Sequence, residues 1–281
     1  MNKKKEKPLV SVIIPTFNRG WILKEAIDSV LAQSFKNFEL IVVNDGSTDN
    51  TLDILSLYKN DIIAVNQDNK GVSGARNRGI ALSSGKFIAF LDSDDFWMPN
   101  KLSVQVDFFN TNHDALICQT DEIWIRNNIR VNPKKRHKKL SGMIFEPSLN
   151  LCLVSPSAVM IKRELFKTVG LFDENLPACE DYDLWLRISC IYPVYLIDIP
   201  LIIKRGGHND QLSGMSGLDK YRIIALNKMI TSGLLSKNQY RAVVRTLKEK
   251  CSIYANGCLK RGNIDKALFY KTMGDTWGMS S

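Results

Sequence analysis

The sequence predicts an α/β protein whose central sheet is mostly parallel and covered by helices on both faces, followed by a C-terminal helical segment. Three observations carry that prediction. Apolar runs of strand length alternate with stretches of helical periodicity through the N-terminal part of the chain. Polar loops, two of them acidic, follow three of those runs, at 15–19, 44–49 and 92–96. After Gly206-Gly207 the strand-like runs stop and helical spacing alone remains.

The first run, "LVSVIIPTF" (9–17), is rich in β-branched residues and reads as a buried strand. The basic head "MNKKKEK" before it mimics a secretion signal. Pro15 interrupts the apolar stretch, however, and Asn18, Arg19, Gly20 and Trp21 stand where small residues would mark a cleavage site. Residues 21–33 place Ile22, Leu23, Ala26, Ile27, Val30 and Leu31 on one helical face. "FELIVVNDGSTDN" is a strand and turn, with Ser47, Thr48 or Asp49 available to cap a helix over 51–58. A short strand at 62–66 precedes the loop "QDNKGVSGARNRG". A helix then runs to about residue 83, Gly85 ends it, and "KFIAFL" is the next strand.

Beyond Pro99 the alternation loosens. A helix is expected over 101–110, and strands over 115–119 and 122–131 with Asn127-Asn128 as a turn. "NPKKRHKKLSG" reads as a solvated basic loop. A strand at 157–162, helices at 164–169 and 181–191 and a final strand region at 194–204 complete the body. Helices are expected at 218–232, 237–256 and 263–273, the last two with the spacing of a single tetratricopeptide-like hairpin, too little for a repeat array. The chain thus divides into a basic tail (1–7), a body (8–217) and a helical extension (218–281).

With 281 residues, 44% of them hydrophobic, the chain can bury a large core. No apolar run reaches the roughly 18 residues that a spanning helix needs. The longest candidate, 192–203, is broken by Pro193, Asp198 and Pro200. The six cysteines lack C-x-x-C spacing, which points to reduced thiols, a cytoplasmic location and no cysteine-bound metal. The net charge of +9 lies on the tail, the 134–139 loop and the C-terminal helices, while the remainder of the body is acidic. Such a split predicts a cation-using site beside surfaces that favour anionic partners.

The chemistry concentrates in "FIAFLDSDDFW", a strand that ends in Asp92, Ser93, Asp94 and Asp95. Carboxylates this close repel unless something neutralises them. Asp92 and Asp94 can converge on Mg²⁺ or Mn²⁺, a hard cation normally shared with substrate phosphates; the alternative is that Ser93, Asp94 or Asp95 caps the turn before Pro99. Asp45, followed by Gly46 and Ser47, can make an Asx-turn. A second acidic group, Glu180, Asp181 and Asp183, opens a helix, where acids also complement the helix dipole.

Taken in order and spacing, "VSVIIPTFNR", "SVLAQSF", "FELIVVNDGSTDNT", "NKGVSGARNRGI", "GKFIAFLDSDD" and "CEDYDLWLR" resemble a family 2 inverting glycosyltransferase with the Rossmann-like GT-A fold, over roughly residues 8–210. The resemblance implies a nucleotide-sugar donor, usually UDP-linked, and a divalent cation. It places Pro15, Thr16 and Asn18 along the nucleoside and Asp45 on the base. It gives Asp94 to the metal, and Asp92 to the metal or the ribose. Arg76 braces the nucleotide or pairs with an acid. Asp181 becomes the general base, with Glu180, Asp95 and Trp185 supporting it or the acceptor, and His208 a metal or phosphate contact on a closing loop.

A glycoside hydrolase would use paired acids but gives no reason for the Asn44-Asp45-Gly46-Ser47 turn. A metal-dependent nucleotidyltransferase is a closer competitor, weakened by the absence of a glycine- and lysine-rich phosphate loop. A nucleic-acid-binding module would need aromatic residues among Lys134–Lys139, and there are none. The basic extension instead fits peripheral contact with an anionic inner membrane surface bearing a glycan or lipid-linked acceptor, or a homodimer face.

Overall fold

The computed structural model describes residues 7–207, 211, 214, 215 and 217–277. It opens with β1 (Val10–Thr16), α1 (Leu23–Leu31), β2 (Phe38–Asp45), α2 (Thr51–Ser56), β3 (Ile63–Gln67), α3 (Gly71–Leu82) and β4 (Phe87–Phe90). These four strands pair in parallel in the order β3-β2-β1-β4. Alternation along β1 explains why the sheet is covered on both sides. Val10, Val12 and Ile14 enter an apolar cluster with Leu23, Ala26, Ile27 and Val30 of α1, while Ile13 faces Ile80 of α3 on the opposite side. Gly79 permits that second contact, because a Cβ there would lie 2.4 Å from Ile13 Cγ2.

The chain continues through β5 (Phe96–Trp97), α4 (Lys101–Thr111), β6 (Ile117–Arg126), β7 (Ile129–Val131), α5 (Phe145–Ser148), β8 (Val159–Lys162), α6 (Leu165–Val169), α7 (Glu180–Ser189) and β9 (Tyr195–Gly206). β8 inserts antiparallel between β4 and β6, and β9 runs parallel to β6 before pairing antiparallel with β5. The two strands expected at 115–119 and 122–131 are therefore largely one. Its register against β9 shifts on both sides of Asp121, and the irregularity breaks the alternation that a single strand would display in sequence. Asn127 and Asn128, both at positive φ, make the expected turn into β7.

Ser157, expected to open a strand, instead sits in a 3₁₀ turn over Pro156–Ala158. The basic loop is not wholly solvated either. Lys139 is buried and pairs with the buried Glu122 of β6 at 2.9 Å.

The C-terminal helices are α8 (Leu218–Thr231), α9 (Lys237–Lys260) and α10 (Ile264–Thr276). Helix α7 sits between them and the sheet. Its Leu184, Trp185 and Ile188 join the sheet-side cluster, whereas Tyr182, Leu186 and Cys190, four residues apart, join the cluster built by α8, α9 and α10. The extension thus packs on the back of the helix whose first turn carries Glu180 and Asp181. Among the described residues, no helix is long and apolar enough to cross a membrane.

Candidate active site

The carboxyl ends of β1, β2 and β4 deliver their loops to one edge of the sheet, the usual ligand position in such folds. Asn18, at φ 52°, donates its N–H to Ser47 Oγ at 2.9 Å, and its Oδ1 accepts from Thr48 N at 2.8 Å. Asn18 thereby fastens the first loop to the second. Pro15 lies within β1 opposite Val43, and Thr16 is buried with its hydroxyl unpartnered. At the turn after β2 it is Asn44 whose Oδ1 accepts from a backbone N–H, that of Ser47 three residues on, at 3.1 Å. Asp45 Oδ1 accepts instead from Gln67 Nε2 at 2.7 Å and Lys70 N at 2.9 Å, which fixes the carboxylate at the end of β2.

The acids after β4 have separate surroundings. Asp92 is partly exposed; its backbone N–H donates to Ser157 Oγ and its Oδ1 accepts from Arg76 Nη2 at 2.7 Å. Asp94 is half-buried. Asp95 is buried, accepting from Ser157 Oγ at 2.7 Å and from Arg205 N at 2.9 Å. Burial, with Asp94 and Asp92 beside it, pushes the Asp95 carboxyl well above the usual carboxylate range, although Lys204 opposes the shift. Asp95 therefore ties the acidic loop to β9.

Arg76 joins the two acidic groups. Its guanidinium is buried, with Nη1 2.6 Å from Glu180 Oε1 and Nη2 on Asp92, and it lies over the Phe172 ring. Burial disfavours its charge, but Asp92 and Glu180 hold it above the ordinary arginine range. Of the two roles expected for Arg76, pairing with acids is the one its contacts display. Helix α7 begins one residue earlier than expected, at Glu180, after Cys179 in the left-handed region at φ 60°. Burial and then Asp181 raise Glu180 to about 7, against the pull of Arg76.

Asp181 stands half-buried at that helix start, one oxygen accepting from Tyr182 N at 2.7 Å and the other 3.6 Å from Cys152 Sγ. Trp185 is only 2% exposed and packs edge-on against Phe172. His208 lies outside the described residues.

The spacing of residues did not reveal Glu122 as part of this region, nor that Ser157 and Lys204 meet the acids after β4. Lys204, half-buried on β9, has Nζ 3.4 Å from Ser155 Oγ. Burial disfavours its charge, yet Glu122, Asp95, Asp92 and Asp181 hold it above the ordinary lysine range.

A strand-edge mouth with two acidic groups bridged by one arginine is the setting in which the comparisons with known proteins have meaning. The family model described as "Glycosyl transferase family 2" matches residues 11–170. The chain is 34% identical to an uncharacterized glycosyltransferase of Rickettsia typhi, over 98% of its own length and 83% of the relative's. It belongs to glycosyl transferase family 2.

This glycosyltransferase is also 36% identical to the Escherichia coli UDP-Glc:alpha-D-GlcNAc-diphosphoundecaprenol beta-1,3-glucosyltransferase WfgD, over 64% of this chain and 69% of that one. Among solved structures, Staphylococcus aureus TarS 1-349 in complex with UDP-GlcNAc aligns with a TM-score of 0.69, covering 95% of this chain and 91% of the other at 17% identity. At that identity the likeness bears on the fold, and it is the GT-A fold. The glycosyltransferase is therefore an α/β enzyme of that architecture.

Among the described residues, no group of three or more His, Cys, Asp or Glu side chains is arranged to hold a metal ion. The oxygens of Asp95 are engaged by Ser157 and Arg205, and Asp92 Oδ1 by Arg76. Asp92 and the half-buried Asp94 stand two residues apart at the end of β4 as a pair of carboxylates. Such a set fits Mg²⁺ or Mn²⁺ completing its shell with substrate phosphates and water.

Proposed function

We propose that this glycosyltransferase moves a sugar from a UDP-linked donor to a hydroxyl acceptor with inversion at the anomeric carbon, assisted by Mg²⁺ or Mn²⁺, in the synthesis of a glycan or cell-surface polysaccharide. The observation that carries the reading is the Arg76 bridge. It sets the acidic loop after β4 and the first turn of α7 against one mouth.

In this reading Asp45 accepts from the base, with Pro15, Thr16 and the Asn18-fastened loop along the nucleoside. Asp94 and Asp92 hold the cation, which supplies charge neutralisation for the departing diphosphate. Asp181, held by Tyr182 N and facing the Cys152 thiol, takes the acceptor's proton as its oxygen attacks. Glu180 and Asp95 act through Arg76 and the β9 backbone respectively. The catalytic part is residues 8–217; the extension 218–281 buttresses α7 from behind.

Recognition of UDP-Glc and of a diphosphoundecaprenol-linked acceptor, named for the Escherichia coli relative, makes a lipid-linked acceptor the first to try. On α10, Ile264, Leu268 and Phe269 are exposed beside Lys266 and Lys271. That combination favours a cytoplasmic enzyme lying on an anionic membrane surface over a homodimer. Binding to anionic vesicles should weaken as salt rises. The transfer itself is tested by release of UDP from a panel of UDP-sugars given lipid-diphosphate glycans, with the product anomer read by NMR. Donor hydrolysis with a retained anomer would reject the reading.

A further inference from the structure

Lys204 occupies a position that the roles above leave without a task. It comes from β9, where it pairs with Trp124 of β6 and lies over that ring at 6.0 Å. The next residue's N–H holds Asp95. Four acids from three elements act on its charge: Asp92 and Asp95 after β4, Glu122 on β6 and Asp181 on α7.

All four carboxylates are already engaged by other donors: Asp92 by Arg76, Asp95 by Ser157 and Arg205, Glu122 by Lys139 and Trp124 Nε1, and Asp181 by Tyr182 N and the Cys152 thiol. An ammonium has three N–H donors. Among the described residues, its hydrogen bond is the long one to Ser155 Oγ. A charged group kept half-buried among acids, with donors to spare, is prepared for an incoming anion. The anion that belongs in this mouth is a diphosphate.

We infer that Lys204 is a resident cation that binds the phosphate oxygens of the nucleoside diphosphate, so that part of the donor's affinity does not depend on the divalent ion. The inference rests on the donor reading above and adds a residue to it. The geometry explains why a lysine suits the task. Its strongly hydrated point charge and flexible stem follow a phosphate without demanding the planar geometry of an arginine pair.

Calorimetric titration of UDP, GDP and uridine tests the inference on the wild type, Lys204→Met and Lys204→Arg, once in EDTA and once with Mn²⁺. The expected result is measurable UDP or GDP binding in EDTA that weakens at least about tenfold in Lys204→Met and less than about threefold in Lys204→Arg, uridine binding being unchanged. If the wild type binds nucleotide with Mn²⁺ but not in EDTA, or if Lys204→Met binds as the wild type does in EDTA, the donor reading stands and the Lys204 assignment is overturned. Loss of uridine binding together with UDP would also overturn it, because Lys204 would then only maintain the shape of the mouth. Failure of both diphosphates to bind under either condition removes the donor reading and Lys204 together.

Discussion

Arg76 donates across 104 residues of sequence to Glu180, Nη1 to Oε1 at 2.6 Å, and both side chains are buried. A buried pair of this kind adds little net stability over an apolar replacement, but removing one partner leaves an uncompensated charge. Arg76→Met should therefore lose about 3–5 kcal/mol of unfolding free energy, measured by urea denaturation. Arg76→Lys should recover little, since one ammonium cannot span Glu180 and Asp92 in the forked geometry. Equal stability of Arg76→Met and wild type would mean that the bridge is dispensable.

Asp181→Asn removes the proton acceptor and keeps the shape. A lost general base typically costs about 10²–10⁴ in rate, so kcat should fall by that amount with donor affinity nearly unchanged. Steady-state kinetics on a responsive donor and acceptor pair separate the two. A rise in donor KM with normal kcat would place Asp181 in binding instead.

Glu122 and Lys139 make a second buried pair, and here pH is the lever. Burial opposes the Glu122 charge, but Lys139 and Lys204 hold its carboxyl down, to about 2 from an ordinary value of 4.5. A carboxyl lowered on folding stabilises the protein above the unfolded value, and that contribution is lost as pH falls through the folded one. The wild type should thus lose stability between about pH 4.5 and 2. Glu122→Gln should be less stable at neutral pH by about 3–5 kcal/mol and show a flatter acid dependence. Parallel pH curves for the two proteins would remove the pair from the acid response.

Gly79 lets α3, and with it Arg76, lie close against β1. Gly79→Ala must displace Ile13, buried at 0% exposure, and should cost about 1–3 kcal/mol despite alanine's better helix propensity. Thermal denaturation decides the sign. A stabilised variant would mean that Ile13 can move aside freely.

The first half of the fold was legible because its information is local. Strands β1, β2 and β4 are continuous apolar runs, and the polar loops after them mark the sheet edge directly. What stayed hidden depends on contacts between distant segments. The insertion of β8 against β4, the Ser157 hydroxyl on Asp95 and the reach of Arg205 N to the same carboxylate join positions 62 or more residues apart. Lys139 looked like part of a solvated run, because nothing in its neighbours marks Glu122, the acid that receives it. The hold on Asp45 was hidden in the same way, because its carboxylate is received by Gln67 and Lys70, 22 and 25 residues further on.

The central claim is that the acids after β4 hold a cation against a nucleoside diphosphate. Calorimetric titration of UDP, with GDP for comparison, into wild type and Asp94→Ala, with and without Mn²⁺, tests it most directly. The account predicts UDP binding that Mn²⁺ strengthens in the wild type, with that strengthening abolished in Asp94→Ala. Equal Mn²⁺ enhancement in both proteins, or no nucleotide binding under any condition, would contradict it.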